Sequence, residues 1–302
     1  MSQYFDNKMN PFTAPTVTQN GGHMVMSNVY KHNKTKYLNI DTKFQDEYNL
    51  NKKASFVYHL PQKIVDVKCI KVRTVELPMS FYNFSLNRGN TYFTVDLSTV
   101  IIPDGQYNDS TSLKNAINSQ LLTLDLSNVF VNVLSNSQVS ISLASRGPYP
   151  IYWDRNPSGT FDKYNLKSKL GWCLGYRQPE YTLSTSSPLV SEGIIDLNNN
   201  TRYLFLVVDE YRQSNPNSFI SPLANSNISK NILARISLNP YTYPFGQTMT
   251  ANLSNGFLVT DERTYSGKTD IQKLLIQLVD EWGNLVDLNE LDFSFCLEIE
   301  HE

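Results

Sequence analysis

The stretch KLLIQLVDEWGNLVDLNELDFSFCLEIEHE (273–302) decides the fold. Leu274, Ile276 and Leu278 alternate toward one face, and Phe293, Phe295, Leu297 and Ile299 do the same, with Asp292, Ser294 and Glu298 opposite. Period-two alternation is the signature of a half-buried strand. A chain end frays unless it is tied into a sheet, so a strand this apolar at the very end implies a place between other strands. Burying four such side chains is worth roughly 1.5–3 kcal/mol each. Glu281-Trp282-Gly283-Asn284 reads as a turn and Asp287 to Leu291 as the rest of the connection.

Working outward, the same rhythm recurs. SFVYHLP (55–61) reads as a strand stopped by proline. KIVDVKCIKVRTVELP (63–78) alternates, then slips phase between Cys69 and Ile70, which predicts a bulge. NTYFTVDL (90–97), the hairpin VFVNVLSNSQVSISL (129–143), NILARISL (231–238) and GFLVTDERTYSG (256–267) add further strands. TRYLFLVVDEY (201–211) is continuously apolar, as in a strand buried on both faces. One helix is predicted at about 111–123, with Leu113, Ile117 and Leu121 on one face and Ser110 or Thr111 as its cap. Residues 145–170 and 178–200 read as long loops, with Trp172 packed between them. With 32 Asn, 18 Tyr and 15 Phe in 302 residues, turn formers and strand formers dominate. Nine to eleven strands and no βαβ alternation predict an all-β fold, a single jelly-roll β-sandwich with one short helix and long loop insertions around 145–200. Residues 1–35, polar and without periodicity, read as an N-terminal arm, and 36–302 as the jelly-roll domain.

Bulk charge excludes some functions. The net charge is −2 with only 18% charged residues, so no basic face suggests nucleic acid. No window reaches the roughly 18 apolar residues of a membrane span, and the N-terminus has no secretory pattern. Cys69, Cys173 and Cys296 are odd in number and far apart, which points to reduced thiols made in a cytoplasm. His23, His32, His59 and His301 lack the spacing of a metal cluster. There is no nucleophile elbow and no phosphate loop. The pairs Asp209-Glu210 and Asp280-Glu281 sit at strand-to-turn junctions and read as solvated turns. Trp153, Trp172 and Trp282 offer a glycan-binding alternative, against core packing. No catalytic residue, metal or cofactor is assigned.

Several motifs together resemble the jelly-roll penton and minor capsid proteins of nucleocytoplasmic large DNA viruses. In the terminal stretch Leu278, Asp280, Glu281, Gly283, Asp287, Leu288, Phe293, Ser294 and Phe295 carry the likeness. VRTVELPMSFYNFS (72–85), IPDGQYNDSTSLKNAIN (102–118), KLGWCLGYR (169–177) and ILARISL (232–238) follow the family's order, so the resemblance spans about 55–300. It implies a structural capsid protein without enzymatic residues: a homopentamer at the fivefold vertices, beside major and minor capsid proteins, in a virion assembled in the host cytoplasm. A minor capsid or cement role is the alternative. Ring contacts favour aromatics, which makes Tyr82, Phe84, Tyr149, Tyr152, Trp153, Tyr241, Tyr243 and Phe245 the candidate subunit interface.

Overall fold

The computed structural model describes residues 16–17, 23–24, 33–45, 54–162, 165–197, 201–211 and 231–302. Most of the expected N-terminal arm lies outside them. Within the amino-terminal unit, β1 (Thr16–Val17) pairs antiparallel with β2 (His23–Met24). The remaining elements run β3 (Lys34–Asp41), β4 (Ser55–Pro78), β5 (Tyr92–Val95), β6 (Ser98–Ile101), α1 (Ser110–Thr123), β7 (Val129–Val133), β8 (Gln138–Leu143) and β9 (Tyr149–Tyr152). They continue with α2 (Leu170–Cys173), β10 (Glu180–Leu183), β11 (Leu189–Ile194), β12 (Tyr203–Asp209), β13 (Ile232–Ser237), β14 (Thr248–Asn252), β15 (Leu258–Thr260), β16 (Arg263–Val279) and β17 (Ser294–His301).

The fold is an all-β jelly-roll sandwich. Its main sheet has the order β15-β13-β12-β16-β4-β17-β3, and β4 is its axis. Along one edge β4 pairs with β16 and then with β14; along the other it pairs with β17. The terminal strand therefore lies between β4 and β3, as its sequence demanded. Phe293, Phe295, Leu297 and Ile299 are all buried, and Phe293 stacks on Phe295 with centroids 6.0 Å apart. Strands from every part of this sheet feed one hydrophobic core, which requires the sheet to curl over itself. β12 is buried on both faces: Leu204, Leu206 and Val208 enter that core, while Phe205 and Val207 join Ile232 and Val279 on the opposite face.

One expectation fails here for a backbone reason, and one holds. Pro61 does not stop a strand; β4 runs unbroken for 24 residues. The pairs His59↔Lys273 and Ile64↔Ile271 leave extra β4 residues between them, so Pro61 sits in a bulge where no ladder N–H is needed. The expected bulge beside Cys69 is present: Lys68 is extra between Val67↔His301 and Cys69↔Glu300, and a second extra residue, Arg73, lies between Val72↔Leu297 and Thr74↔Cys296.

Residues 84–197 build a second hydrophobic core. The stretches read as loops at 145–170 and 178–200 contain β9, β10 and β11, and α2 lies between them, so the insertion is a packed unit with a second helical turn. The helix at 111–123 is α1, with Leu113, Ile117 and Leu121 buried. Its cap is Asp109 rather than Ser110 or Thr111: the carboxylate accepts the Ser112 N–H at 2.8 Å. The 90–97 run is shorter than expected. It turns at Asp96 (φ 54°), and β5 doubles back on β6. β14, in the polar stretch TMTAN, was not anticipated.

Candidate subunit interface

The chain returns from β13 through residues 239–247, and the backbone of this loop is closed by local bonds. Asn239 Oδ1 accepts the N–H groups of Tyr241 and Thr242 at 3.0 and 3.2 Å. Gly246, at φ 89°, lets the chain turn so that its N–H reaches the Met79 carbonyl at 2.9 Å, and the Met79 N–H reaches Gln247 at 2.8 Å. That pairing carries Phe245 against Tyr82 in a stacked pair, centroids 5.8 Å apart and 16° between planes. Tyr241 is 89% exposed and Phe245 47%. Tyr243 turns inward, edge-on to Phe257 at 5.6 Å. Of the eight aromatic candidates, Tyr82, Tyr241 and Phe245 thus belong to one rim at the end of the main sheet.

The insertion candidates divide. Tyr149 and Tyr152 are half-buried on β9, and the Arg155 guanidinium lies 3.9 Å from the Tyr152 centroid. Phe84 and Trp153 are interior, at 1% and 0% exposure, and are inaccessible to a neighbouring chain. Phe84 meets Tyr107 edge-on at 5.6 Å. Trp153 lies between Phe93 at 4.9 Å and Tyr176 at 5.2 Å. The same burial removes Trp153 from any glycan platform. Trp172 is half-buried beneath Arg177, whose guanidinium is 4.4 Å from the ring centroid, and Trp282 is half-buried in the β16–β17 connection.

That connection contains the acidic groups that sequence reading assigned to solvent. Asp280 is buried and organises the turn: its Oδ1 accepts the N–H groups of Trp282 and Asn284 at 2.9 and 2.8 Å. Burial pushes the Asp280 carboxyl above its ordinary range, against the Asn284 N–H and the Arg88 guanidinium. Burial raises Glu281 as well, again opposed by Arg88. The loop holds the start of the insertion through Ser80 Oγ, which donates to the Leu288 carbonyl at 2.6 Å, and through Asn87, which donates to Leu285 at 3.2 Å. Glu210, the other acid read as solvated, is buried against Arg263 at 2.8 Å and accepts the Tyr265 hydroxyl at 2.6 Å.

The insertion has its own buried ion group. Lys169 Nζ donates to Asp162 and to the Gly89 carbonyl, the latter at 3.2 Å, and Tyr92 donates to the same carboxylate. Burial pulls the Lys169 ammonium below its ordinary range. Cys69, Glu262 and Glu300 are the one group of described residues whose ligand atoms come within 4.8 Å of each other. Burial, then Glu262 and Glu300, push the Cys69 thiol up to about 11, while Glu262 is already held by Lys71 at 3.0 Å. In these groups the Lys169 ammonium is met by Asp162 and the Glu262 carboxylate by Lys71. A cavity of about 30 Å³ lies beside Arg88, lined by Tyr82, Asp104, Thr201, Asp280 and Asp287 among others; sequence reading missed it because its walls come from separate parts of the chain. The one available signal was Asp280-Glu281 beside Trp282, an acidic pair adjoining an apolar strand.

No family model and no curated protein matches the chain. Among solved structures, it is similar to the penton protein of mavirus, at 10% identity and TM-score 0.42, over 89% of this chain and all of that one. It is also similar to a chain of the Sputnik virophage, at 15% identity and TM-score 0.39, over 88% of this chain and 98% of the other.

Proposed function

We propose that this chain is a structural capsid protein that forms homopentamers at the fivefold vertices of a large icosahedral DNA virus, in contact with major and minor capsid proteins. One observation carries the reading: five motifs of penton and minor capsid proteins occur in the family's order from about 55 to 300, ending in the strand that the main sheet encloses. The surface supports it. Charge is sparse, and Tyr241 and Phe245 are exposed on one loop, with Tyr82 stacked on Phe245, at one end of the sheet, where a ring contact between different patches of adjacent subunits would form. The buried ion pairs Lys169–Asp162 and Arg263–Glu210 are enclosed in packing, which fits a role in assembly.

Quantitative mass spectrometry of purified virions tests this. Twelve vertices with five chains each require about sixty copies per particle. Hundreds of copies move the protein into the minor capsid lattice, and absence from virions removes the capsid role.

A further inference from the structure

Two ion pairs among the described residues have both side chains enclosed, and they differ in chemistry. In the main sheet Arg263 faces Glu210, each 1% exposed. A guanidinium keeps its charge under all ordinary conditions, so that pair stays an ion pair. In the insertion Lys169 faces Asp162, 0% and 2% exposed. An amine that has lost its proton is a nucleophile toward a carbonyl carbon, and burial already pulls the Lys169 ammonium below its ordinary range. Two charges in a dry site are costly, and moving one proton from Nζ to the carboxyl group leaves a neutral amine beside a neutral acid.

The neighbours fit a reaction between these two groups. Lys169 Nζ donates to Asp162 Oδ2, so Cγ lies one C–O bond beyond the atom it touches. The Tyr92 hydroxyl reaches both partners: it accepts from Nζ at 3.3 Å and donates to the same Asp162 oxygen. It is therefore placed to pass a proton between the attacking nitrogen and the leaving oxygen. The Gly89 carbonyl accepts from Nζ at 3.2 Å and fixes its direction. The backbone holds both ends: the Asp162 N–H donates to the Asp154 carbonyl at 2.8 Å, and the Lys169 N–H to the Leu166 carbonyl at 3.1 Å. Groups held in contact react as if at an effective concentration of about 10⁵–10⁸ M. An amide here would also keep its hydrogen bonds, its N–H donating to Gly89 and its carbonyl accepting from Tyr92.

We propose that Lys169 and Asp162 condense into an isopeptide bond, with Tyr92 as the catalytic proton relay. Nζ attacks Cγ, a C–N bond forms, and a C–O bond of the carboxylic acid breaks. The hydroxyl leaves with one Nζ proton as water, so no oxidant, reductant or co-reactant is consumed. The amide replaces two buried charges with one neutral group and ties the loop after β9 to the start of α2. The capsid role does not depend on this bond and would survive its absence, because virion copy number is a separate readout.

The test is mass spectrometry of the full folded chain, intact and then after trypsin. The chain is expected to be lighter than its sequence by one water. Peptide 156–163 is expected joined to peptide 168–177 through Asp162 and Lys169, uncut after Lys169. Separate linear peptides after days at neutral pH, or a water lost within 156–163 alone as a cyclised aspartate, overturn the proposal, and neither result needs a variant to fold. Lys169→Arg should retain its full mass. Tyr92→Phe should link about a hundredfold more slowly, the lower end of what a positioned proton donor and acceptor contributes; an unchanged rate overturns the relay.

Discussion

The main sheet and the insertion solve the burial problem with different materials. The core of the sheet is mostly aliphatic, supplied by residues of long strands such as Val72, Val75 and Leu77 on β4 and Leu274, Ile276 and Leu278 on β16, with Phe56, Phe293 and Phe295 meeting inside it. The core of the insertion is also rich in aliphatics but is threaded by larger rings: Phe93, Trp153, Tyr176 and Tyr181 form a continuous chain of aromatic contacts at 4.9 to 5.3 Å. A long strand can repeat one simple pattern, because its neighbours fix the register. Short strands of four to six residues cannot enclose much with methyl groups alone, so a few large side chains fill the space and must be placed accurately. Volume errors should therefore be tolerated less in the insertion, whereas loss of a strand should be fatal to the sheet.

The largest effect tests the sheet. Deleting residues 292–302 removes β17 and four buried apolar side chains at once. At roughly 1.5–3 kcal/mol each the loss is about 6–12 kcal/mol, comparable with the whole stability of a typical domain, about 5–15 kcal/mol. It also bares an edge of β4. The expected outcome is insoluble protein. A truncated chain that stays folded and monodisperse by light scattering would show that β17 is dispensable and that the sheet does not depend on its central strands.

A smaller effect tests the insertion alone. A Cβ placed on Gly171 would lie 2.3 Å from Trp153 Cδ2, and that ring is fixed between Phe93 and Tyr176. Gly171→Ala should cost about 1–3 kcal/mol through overpacking. Hydrogen exchange should show lost protection in β5, β8 and β9 while β4, β16 and β17 keep theirs. Equal losses in both regions would mean that the two cores unfold as one unit, and the contrast between them would be structural only.

The two regions also differed in how far their sequences could be read. Alternation identified β13, the apolar part of β16 and β17, and a continuous apolar run identified β12, because each is long or has a strict face. The placement of β17 inside the sheet followed from Phe293 to Ile299 alone. The insertion was mostly legible where it has periodicity, at α1 and the β7–β8 hairpin. Elsewhere its short strands carry Pro150, Glu180 and Gly193, which read as loop, and its core residues Trp153 and Tyr176 stand outside any repeat. The interface candidates show the same limit. Aromatic content marked Phe84 and Trp153 as readily as Tyr241, because whether a ring faces solvent or a neighbouring strand depends on contacts made across the chain. The cavity at Arg88 depends on 81–88, 104, 201–204 and 280–289 meeting, and no local pattern encodes that.

The finest comparison lies inside the insertion, between its one regular helix and its aromatic packing. α1 draws on two sources: Leu113, Ile117 and Leu121 against the insertion core, and the Asp109 cap at its start. Asp109 Oδ1 accepts the Ser112 N–H, and the Asp109 carbonyl accepts the Ser112 hydroxyl, both at 2.8 Å. Asp109→Ala removes the first bond and keeps the second, so the expected cost is about 1 kcal/mol. Because the charge favours the positive end of the helix dipole, Asp109→Asn should recover most of that loss, but not all of it at low salt. If Asp109→Ala destabilises the insertion as much as Gly171→Ala, the helix start rather than the Trp153 stack governs its stability, and the insertion would be organised from α1 outward.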